Sequence, residues 1–176
     1  MDPSHQTVRG AQAGFTLVEL LITIAIAAIL LAIAAPSLTS FLADQAAAGN
    51  ADEFAAAVRY SRTEAIKRGR VVTMCASADP GADAPECDED GSWVTGWVIT
   101  VPPNSTVLRV QNALRAMDGT STADATSLTF AANGLATVGA GKYTFVPVGG
   151  DVTKQRVVRV LSTGRVRVCK GEGDCE

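Results

Sequence analysis

The sequence predicts an α+β fold in which one long N-terminal helix precedes a head of antiparallel strands. Two observations lead to this prediction. Apolar residues dominate the chain from Phe15 and then recur at helical spacing as far as Ala65. From Val71 onward, short segments rich in β-branched residues alternate with turn-forming residues. A helix that precedes a run of strands is typical of the α+β class rather than of alternating α/β folds.

Length and composition exclude several classes of protein. The chain has 176 residues, enough for one ordinary domain and an appendage, and its 47% hydrophobic content is too high for a disordered protein. The net charge is −3, so the whole chain is not an obvious nucleic-acid binder. The charge is uneven, however. Six acids lie between Asp79 and Asp90, whereas seven Lys or Arg and one acid lie between Lys142 and Lys170.

Residues 15–35 form an apolar run of 21 residues that contains a single charge, Glu19. A helix of this length spans roughly 30 Å, the hydrocarbon thickness of a bilayer. A carboxylate in hydrocarbon costs about 2.5–3.5 kcal/mol, so Glu19 is expected to have a partner and a role. A secretory signal peptide with an Ala-x-Ala site at residues 32–34 is one alternative, but the run is long for a signal core. A plain membrane anchor fits the length and leaves Glu19 unexplained.

The string GFTLVELL at residues 14–21 resembles the class III signal of type IV pilins and type II secretion pseudopilins. The resemblance implies that a prepilin peptidase cleaves between Gly14 and Phe15 on the cytoplasmic side of the membrane, and that Phe15 is then N-methylated. It also implies that Glu19 pairs with the cationic amine of a neighbouring subunit in a filament, and that Pro36 kinks the helix. Among packed apolar helices, a misplaced subunit leaves both charges unpaired.

This resemblance divides the chain into three parts. Residues 1–14 are the leader, residues 15–36 the transmembrane and assembly helix, and residues 37–176 an amphipathic helix with a periplasmic β head. The implied location is the bacterial inner membrane, crossed once, with incorporation into a periplasmic or extracellular filament. The implied partners are other pilins or pseudopilins, the prepilin peptidase and the inner membrane.

The helix is expected to continue into the head as its spine. Phe54, Val58, Ser61 and Ala65 form a stripe at helical spacing that is suited to packing on a sheet. Two basic residues followed by Gly69 are typical of a helix C-terminus, which predicts one bent helix of about 54 residues. Seven β-like segments follow, at residues 71–75, 93–101, 107–112, 127–130, 143–148, 155–161 and 165–169.

Four cysteines lie in the predicted head: Cys75, Cys87, Cys169 and Cys175. They allow three pairings, and proximity in the sequence favours Cys75–Cys87 and Cys169–Cys175. A periplasmic head would keep disulfides oxidised. A zinc site is the alternative, but the chain has no CxxC spacing and its only histidine, His5, lies in the leader. We therefore expect disulfides and no metal.

Residues 75–100 resemble the GspH/FimT family, in which a cysteine strand and a loop with a second cysteine precede a W-x-x-G-W strand, here Trp93, Gly96 and Trp97. GRVRVC at residues 164–169 is also similar to this family. The resemblance implies the type IV pilin fold and a structural subunit at or near the tip of a type IV pilus or a type II secretion pseudopilus. Such a minor pilin or pseudopilin helps initiate filament assembly and protein secretion. Both tryptophans are more simply interpreted as core residues than as ligand contacts.

The alternative function is DNA uptake in natural transformation. One branch of the family binds DNA through a GRxR motif, which Gly164, Arg165 and Arg167 match. A hairpin turn at residues 162–164 would place Arg159 opposite Arg167 on a cationic sheet face, with valines on the other face.

Lys170, together with Lys154 and Arg156, is a candidate to widen this cationic patch. Contacts from such a patch to the phosphates of double-stranded DNA are nonspecific in sequence and weaken with salt. The rival interpretation is a solvated sheet edge, or pairing with the acidic residues 79–90 of a neighbouring subunit.

An enzyme is not expected. The processed chain has no histidine, so neither a Ser–His nor a Cys–His dyad can form. The sequence has no phosphate-binding loop, and no EF-hand spacing surrounds Asp88, Glu89 and Asp90. No cofactor is expected.

Overall fold

The computed structural model describes residues 15–103, 106–118, 121–149, 151–171 and 175, with the backbone alone for residues 34–37. The predicted leader, with Gly14, lies outside the described residues. The chain divides between Thr39 and Ser40 into two compact units, and this division falls within a helix.

Helix α1, Leu17–Arg68, begins next to a capping threonine. The Oγ1 of Thr16 accepts the backbone N–H of Glu19 at 3.1 Å, which is the threonine half of a capping box. The helix ends as its sequence predicts, because Gly69 adopts a φ of +60°, the left-handed conformation that closes many helices. The helix has 52 residues, close to the predicted length of about 54.

In the first unit, α1 exposes apolar side chains over its described length. The large apolar residues between Leu17 and Ile33 are each 52–73% exposed. Within the described residues, no single helical segment is long and apolar enough to span a membrane alone. The segments Leu17–Ile33 and Leu38–Arg68 meet that criterion of length and composition only as a pair.

The second unit combines the remainder of α1 with two antiparallel sheets. Its described strands are β1 Val72–Ala76, β2 Trp97–Val101, β3 Thr106–Gln111, β4 Thr122–Ala123, β5 Ser127–Phe130, β6 Ala136–Val138, β7 Gly141–Phe145, β8 Arg156–Val160 and β9 Val166–Lys170. One sheet has the order β3-β2-β1-β5-β6 and the other the order β4-β7-β8-β9. A short 3-10 helix, Val152–Lys154, leads into β8. The predicted α+β class is confirmed.

All seven predicted strands are present, one with the predicted bounds, residues 127–130, and the others with shifted bounds. The strand expected at residues 93–101 begins only at Trp97, because the N–H of Thr95 donates to the carbonyl of Ser92 at 3.1 Å and closes a turn. Gly96 follows with a φ of +119°, and a Cβ there would lie 2.3 Å from the carbonyl oxygen of Gln111. Strands β4 and β6 are missing from the prediction because they have only two and three residues.

Phe54 on α1 is the centre of the hydrophobic core. Its ring centroid lies 5.4 Å from that of Trp97 on β2, and 4.9 Å and 5.3 Å from those of Tyr143 and Phe145 on β7. The helix therefore contacts both sheets through one side chain. Trp93 also packs on Phe54, at 5.0 Å, and both tryptophans are buried, which agrees with their interpretation as core residues.

Two further contacts join α1 to the sheets. The Nη2 of Arg156 on β8 lies 2.8 Å from the Oδ1 of Asp44; the arginine side chain is largely buried and the aspartate side chain partly buried. Near the other end of the helix, the Nε of Arg62 donates to the carbonyl of Gly134, in the turn between β5 and β6, at 3.0 Å. These contacts fix the helix against the head at two separate places.

Both disulfides favoured by sequence proximity are formed in the structure. Cys75 is joined to Cys87 with a Cα–Cα distance of 5.4 Å, and Cys169 to Cys175 with a Cα–Cα distance of 5.6 Å. The first ties the acidic segment, residues 79–90, to β1, and the second ties Cys175 to β9.

Candidate functional site

The first candidate site is the N-terminal segment of α1 around Glu19. Glu19 lies in the first helical turn, where a negative charge is favoured by the helix dipole. Within the described part of the chain its carboxylate forms no ion pair, and its neighbours Leu17, Val18 and Leu20 are exposed apolar residues. Phe15, the predicted new N-terminus, is 82% exposed. The segment therefore carries one acid on a surface that is otherwise uncharged and mainly apolar.

Pro36 lies inside α1, in the stretch whose backbone alone is described. Its predicted role in kinking the helix stays a prediction, as does the cleavage between Gly14 and Phe15.

The second candidate site is the outer face of the four-stranded sheet. Antiparallel pairing places Lys142 of β7 opposite Arg159 of β8, and Arg159 opposite Arg167 of β9. These three residues form the cationic row, which crosses three adjacent strands. Arg165 lies on the same face, and Arg165 and Arg167 are both exposed and form no ion pair with any described residue.

The predicted hairpin register between β8 and β9 is the observed one. The N–H of Leu161 donates to the carbonyl of Arg165 at 2.9 Å, and Val158 and Val160 face Val168 and Val166 across the pair. These valines point to the core, so the two faces of the hairpin have the predicted apolar and cationic characters.

Arg159 is held by the backbone of Cys175, a contact that the sequence did not indicate. Its Nη1 donates to the carbonyl of Cys175 at 3.0 Å. Cys175 is 1% exposed and packs with Val157 and Cys169 on the same sheet face. The Cys169–Cys175 disulfide therefore helps to orient the guanidinium in the middle of the cationic row.

Gly164 of the GRxR motif has a packing role. It adopts a φ of +75°, and a Cβ there would lie 2.3 Å from the carbonyl oxygen of Gly134 and 2.7 Å from the Nε of Arg62. The motif glycine is thus required where the hairpin turn approaches α1, and Arg165 and Arg167 are presented from a rigid turn.

Three cations that were expected to widen the patch do not extend the row. Lys170 pairs in register with Arg156, so both belong to the helix-facing side of the sheet, opposite to Arg167. Arg156 is 9% exposed and bound to Asp44, and Lys154 pairs with Asp151 at 3.1 Å. Successive side chains along a strand point to opposite faces of the sheet. Lys170 lies an odd number of residues from Arg167, and Arg156 an odd number from Arg159, so neither shares the face of the arginine that it was expected to join.

The acidic segment offers no metal centre in the part of the chain that is described. Most of its carboxylates are exposed, and no group of three or more His, Cys, Asp or Glu side chains is arranged to hold a metal ion.

The chain matches two protein-family models. Residues 50–164 match the family described as "Type II transport protein GspH", and residues 9–35 match the "Prokaryotic N-terminal methylation motif". The chain is also 38% identical over 95 residues to the type IV narrow pilus major component PilA5 of Thermus thermophilus, a match that covers 54% of this chain and 75% of the relative.

Among solved structures, the chain resembles the type IV minor pilin FimU of Pseudomonas aeruginosa PAO1. Two crystal forms of FimU superpose with TM-scores of 0.54 and 0.52, at 24% and 22% identity. The matches cover 74% and 73% of this chain and 95% and 98% of FimU. At these identities the likeness shows the fold, and the fold is that of a type IV pilin.

Proposed function

The chain belongs to the GspH family of type IV pilin-like proteins, and on that premise we propose that it is a minor pilin or pseudopilin at or near the tip of a filament. Membership of this family implies assembly with other pilins and processing at the N-methylation motif. The proposed filament is a type IV pilus or a type II secretion pseudopilus, whose assembly the subunit helps to initiate. Residues 15–36 would hold the subunit in the inner membrane before assembly, after removal of residues 1–14.

The observation that supports this proposal is the single carboxylate of Glu19 on an exposed apolar helix. Apolar surface of this extent needs either lipid or other helices around it. In lipid or among helices an unpaired carboxylate is costly, and cleavage before Phe15 creates a cationic amine that can pair with it on a neighbouring subunit. The pair then favours subunits that are in the correct axial position.

Replacement of Glu19 by alanine tests this assembly role. We expect Glu19→Ala to be processed and inserted into the membrane normally but to be absent from purified filaments. The helix start should survive, because Thr16 binds the backbone N–H of Glu19 and not its side chain. The measurement is immunoblotting of membrane and sheared filament fractions for the mature subunit.

Thr23→Ala is the matched control, since Thr23 lies one turn further along and its hydroxyl donates only to the carbonyl of Leu20, at 2.8 Å. It should enter filaments like the wild type. Wild-type amounts of Glu19→Ala in the filament fraction would contradict the proposal.

A second proposed function is DNA binding for uptake, and the exposed arginines Arg165 and Arg167 support it. Like charges that face each other across strands are destabilising unless an anion offsets them. Arg165 and Arg167 are exposed and lie on that face next to Arg159. The phosphate backbone of double-stranded DNA is a partner of suitable chemistry.

The double variant Arg165→Gln with Arg167→Gln tests DNA binding. We expect weaker binding to a DNA duplex at low salt, and a salt dependence of the binding constant reduced by about two in slope, because two phosphate contacts are lost. A gel-shift titration measures this, and circular dichroism checks that the head remains folded. Unchanged affinity would exclude these arginines from a DNA contact.

A further inference from the structure

We infer that the head docks onto a second copy of this chain, and that the basic end of α1 in one copy, residues 66–71, binds the acidic segment, residues 79–90, of the next. This inference rests on the proposed filament function and adds a contact between heads to the one at Glu19. The basic end has three cations and no acid, whereas the acidic segment has six acids and no cation. The two surfaces are therefore complementary in charge.

The basic end combines exposed charge with exposed apolar surface. All six of its residues are exposed, and the apolar side chains among them, Ile66 and Val71, are 50% and 43% exposed. Glu64, which precedes it, pairs with Lys67 at 3.9 Å and with Arg68 at 2.7 Å, so one carboxylate stands against three cations. Exposed apolar residues among charges of one sign are typical of an interaction surface.

The acidic segment presents its charge from a fixed base. The Cys75–Cys87 disulfide joins it to β1, and the N–H of Asp88 donates to the carbonyl of Ala76, the last residue of that strand, at 2.9 Å. Most of its carboxylates are exposed, and none of them forms an ion pair with a residue that the structure describes. These carboxylates are therefore available to the cations of another chain.

The two charged surfaces lie at opposite ends of β1. The basic end leads directly into the strand at Val72, whereas the acidic segment is held at Ala76. At about 3.3 Å per residue, these two ends of β1 are separated by about 13 Å. Among the described residues, no ion pair joins the basic end to the acidic segment of the same chain. Each surface therefore keeps its charge for a partner.

Surfaces at opposite ends of the head favour a head-to-tail contact. Trp97, which pairs with Ala76, packs on Phe54, and Arg68 follows Phe54 by 14 positions, or about 21 Å of helix. A copy that is shifted along α1 by about this distance brings its acidic segment level with the basic end of the copy before it. Head-to-tail contacts between unlike surfaces can be repeated without closing, and an open helical filament is built from such contacts.

Two charge-reversal variants separate the two surfaces. The basic-end variant is Lys67→Glu with Arg70→Glu, and the acidic-segment variant is Asp83→Lys with Glu86→Lys. Lys67 forms only a 3.9 Å ion pair, and Arg70 donates only to a backbone carbonyl at 3.3 Å, so we expect both variants to fold. Tryptophan fluorescence checks this. A mixture of the two variants still contains one intact basic end and one intact acidic segment, on different chains.

The test uses the full-length protein in a nonionic detergent, labelled with two fluorophores in separate batches, and measures association by energy transfer. We expect each variant to associate with itself about tenfold more weakly than the wild type, because like charges then face each other. The mixture of the two variants should associate within about threefold of the wild type. Added salt should weaken the association of the wild type, because the charges are exposed.

Lys170 provides a matched control for net charge. It is exposed on β9, and its partner in the register, Arg156, is bound to Asp44, about 36 Å of helix before the basic end. Lys67→Glu alone and Lys170→Glu alone change the net charge by the same amount. We expect the first to weaken association about threefold and the second to leave it within about 1.5-fold of the wild type.

Equal effects of Lys67→Glu and Lys170→Glu, or a mixture that fails to recover association, would overturn the inference. If the basic-end variant associates normally but is missing from filaments, the basic end contacts a different pilin and the second copy is the wrong partner. If it associates normally but loses binding to a DNA duplex, the basic end is a nucleic-acid surface. If the wild type is absent from filaments while the mixture recovers association in detergent, the proposed filament function fails and the contact between heads stands.

Discussion

At the scale of single residues, Tyr143 is a group whose ionisation depends on the fold. Its hydroxyl donates to the carbonyl of Gly139, and its ring packs on Phe54 and Trp93 in the core. Burial, and to a lesser degree the charge of Asp124, raises the pKa of Tyr143 well above its ordinary value of 10.0. The folded protein therefore retains a proton that the unfolded chain releases in alkaline solution.

This difference predicts alkaline destabilisation. Well below pH 10 the phenol is protonated in both states, so it contributes no pH dependence. As the pH approaches and passes 10, the unfolded state loses the proton while the folded state keeps it, and stability falls. Tyr143→Phe should reduce the decline in the urea midpoint between about pH 9 and 11. Tryptophan fluorescence of the full-length protein in detergent measures the midpoints. Parallel declines in the wild type and the variant would show that Tyr143 does not cause the effect.

The role of a single residue could be predicted from the sequence where its side chain does not suit the surrounding residues. Glu19 was identified because a charge in an apolar run is costly, and the tryptophans because large aromatic rings fill cores. Lys142 was not assigned to the site, because its place depends on pairing between β7 and β8 across an intervening connection. The contact of Arg159 with the Cys175 carbonyl likewise depends on the position of Cys175, which follows from its disulfide with Cys169 on β9.

At the scale of elements, the ion pair between Asp44 on α1 and Arg156 on β8 joins the helix to the four-stranded sheet. The side chains are 26% and 11% exposed, so water screens the pair only in part. Removal of one partner leaves the other charge partly buried without its counter-ion, which costs more than removal of both.

We expect Asp44→Asn and Arg156→Gln each to lower the free energy of unfolding by about 1.5–3 kcal/mol. The double variant should lose clearly less than the two single losses together, because the interaction is shared. Urea denaturation of the four proteins gives the double-mutant cycle. Strict additivity would indicate that the two residues stabilise the protein independently.

Element prediction succeeded where the local pattern is strong and failed where an element is short. The helix end at Gly69 and the β8–β9 register follow from residues that are close in the sequence. Strands β4 and β6 contain too few residues for a pattern, and their pairing partners decide their conformation. The start of β2 was displaced because the backbone around Gly96 needs a turn that hydrophobic alternation cannot reveal.

At the scale of the whole molecule, Phe54 joins three layers: α1, β2 of one sheet and β7 of the other. Phe54→Ala should therefore lower the free energy of unfolding by about 3–5 kcal/mol and weaken both sheets together. Phe54→Leu should cost less, since it leaves a smaller cavity. Far-UV circular dichroism and tryptophan fluorescence should give one coincident transition; separate transitions would mean that the sheets unfold independently.

The α+β class could be predicted because the change from helical to strand period is a local property of the sequence. The division of the head into two sheets could not. It depends on the pairing of β1 with β5 and of β7 with β8, and on Phe54 contacting both sheets. Such pairings between distant segments are determined by the packed core rather than by local pattern.

The two contacts between α1 and the sheets also have a mechanical consequence. Asp44 and Arg62 are separated by about 27 Å of helix at about 1.5 Å per residue. A pull along α1, such as a subunit experiences in a filament under tension, would reach β8 through Asp44 and the turn after β5 through Arg62. Since the backbone N–H of Ala136 also donates to the carbonyl of Ser162 at 2.9 Å, the pull would be shared between the two sheets. We therefore expect a force along α1 to load both sheets at once, so that neither sheet separates from the helix alone.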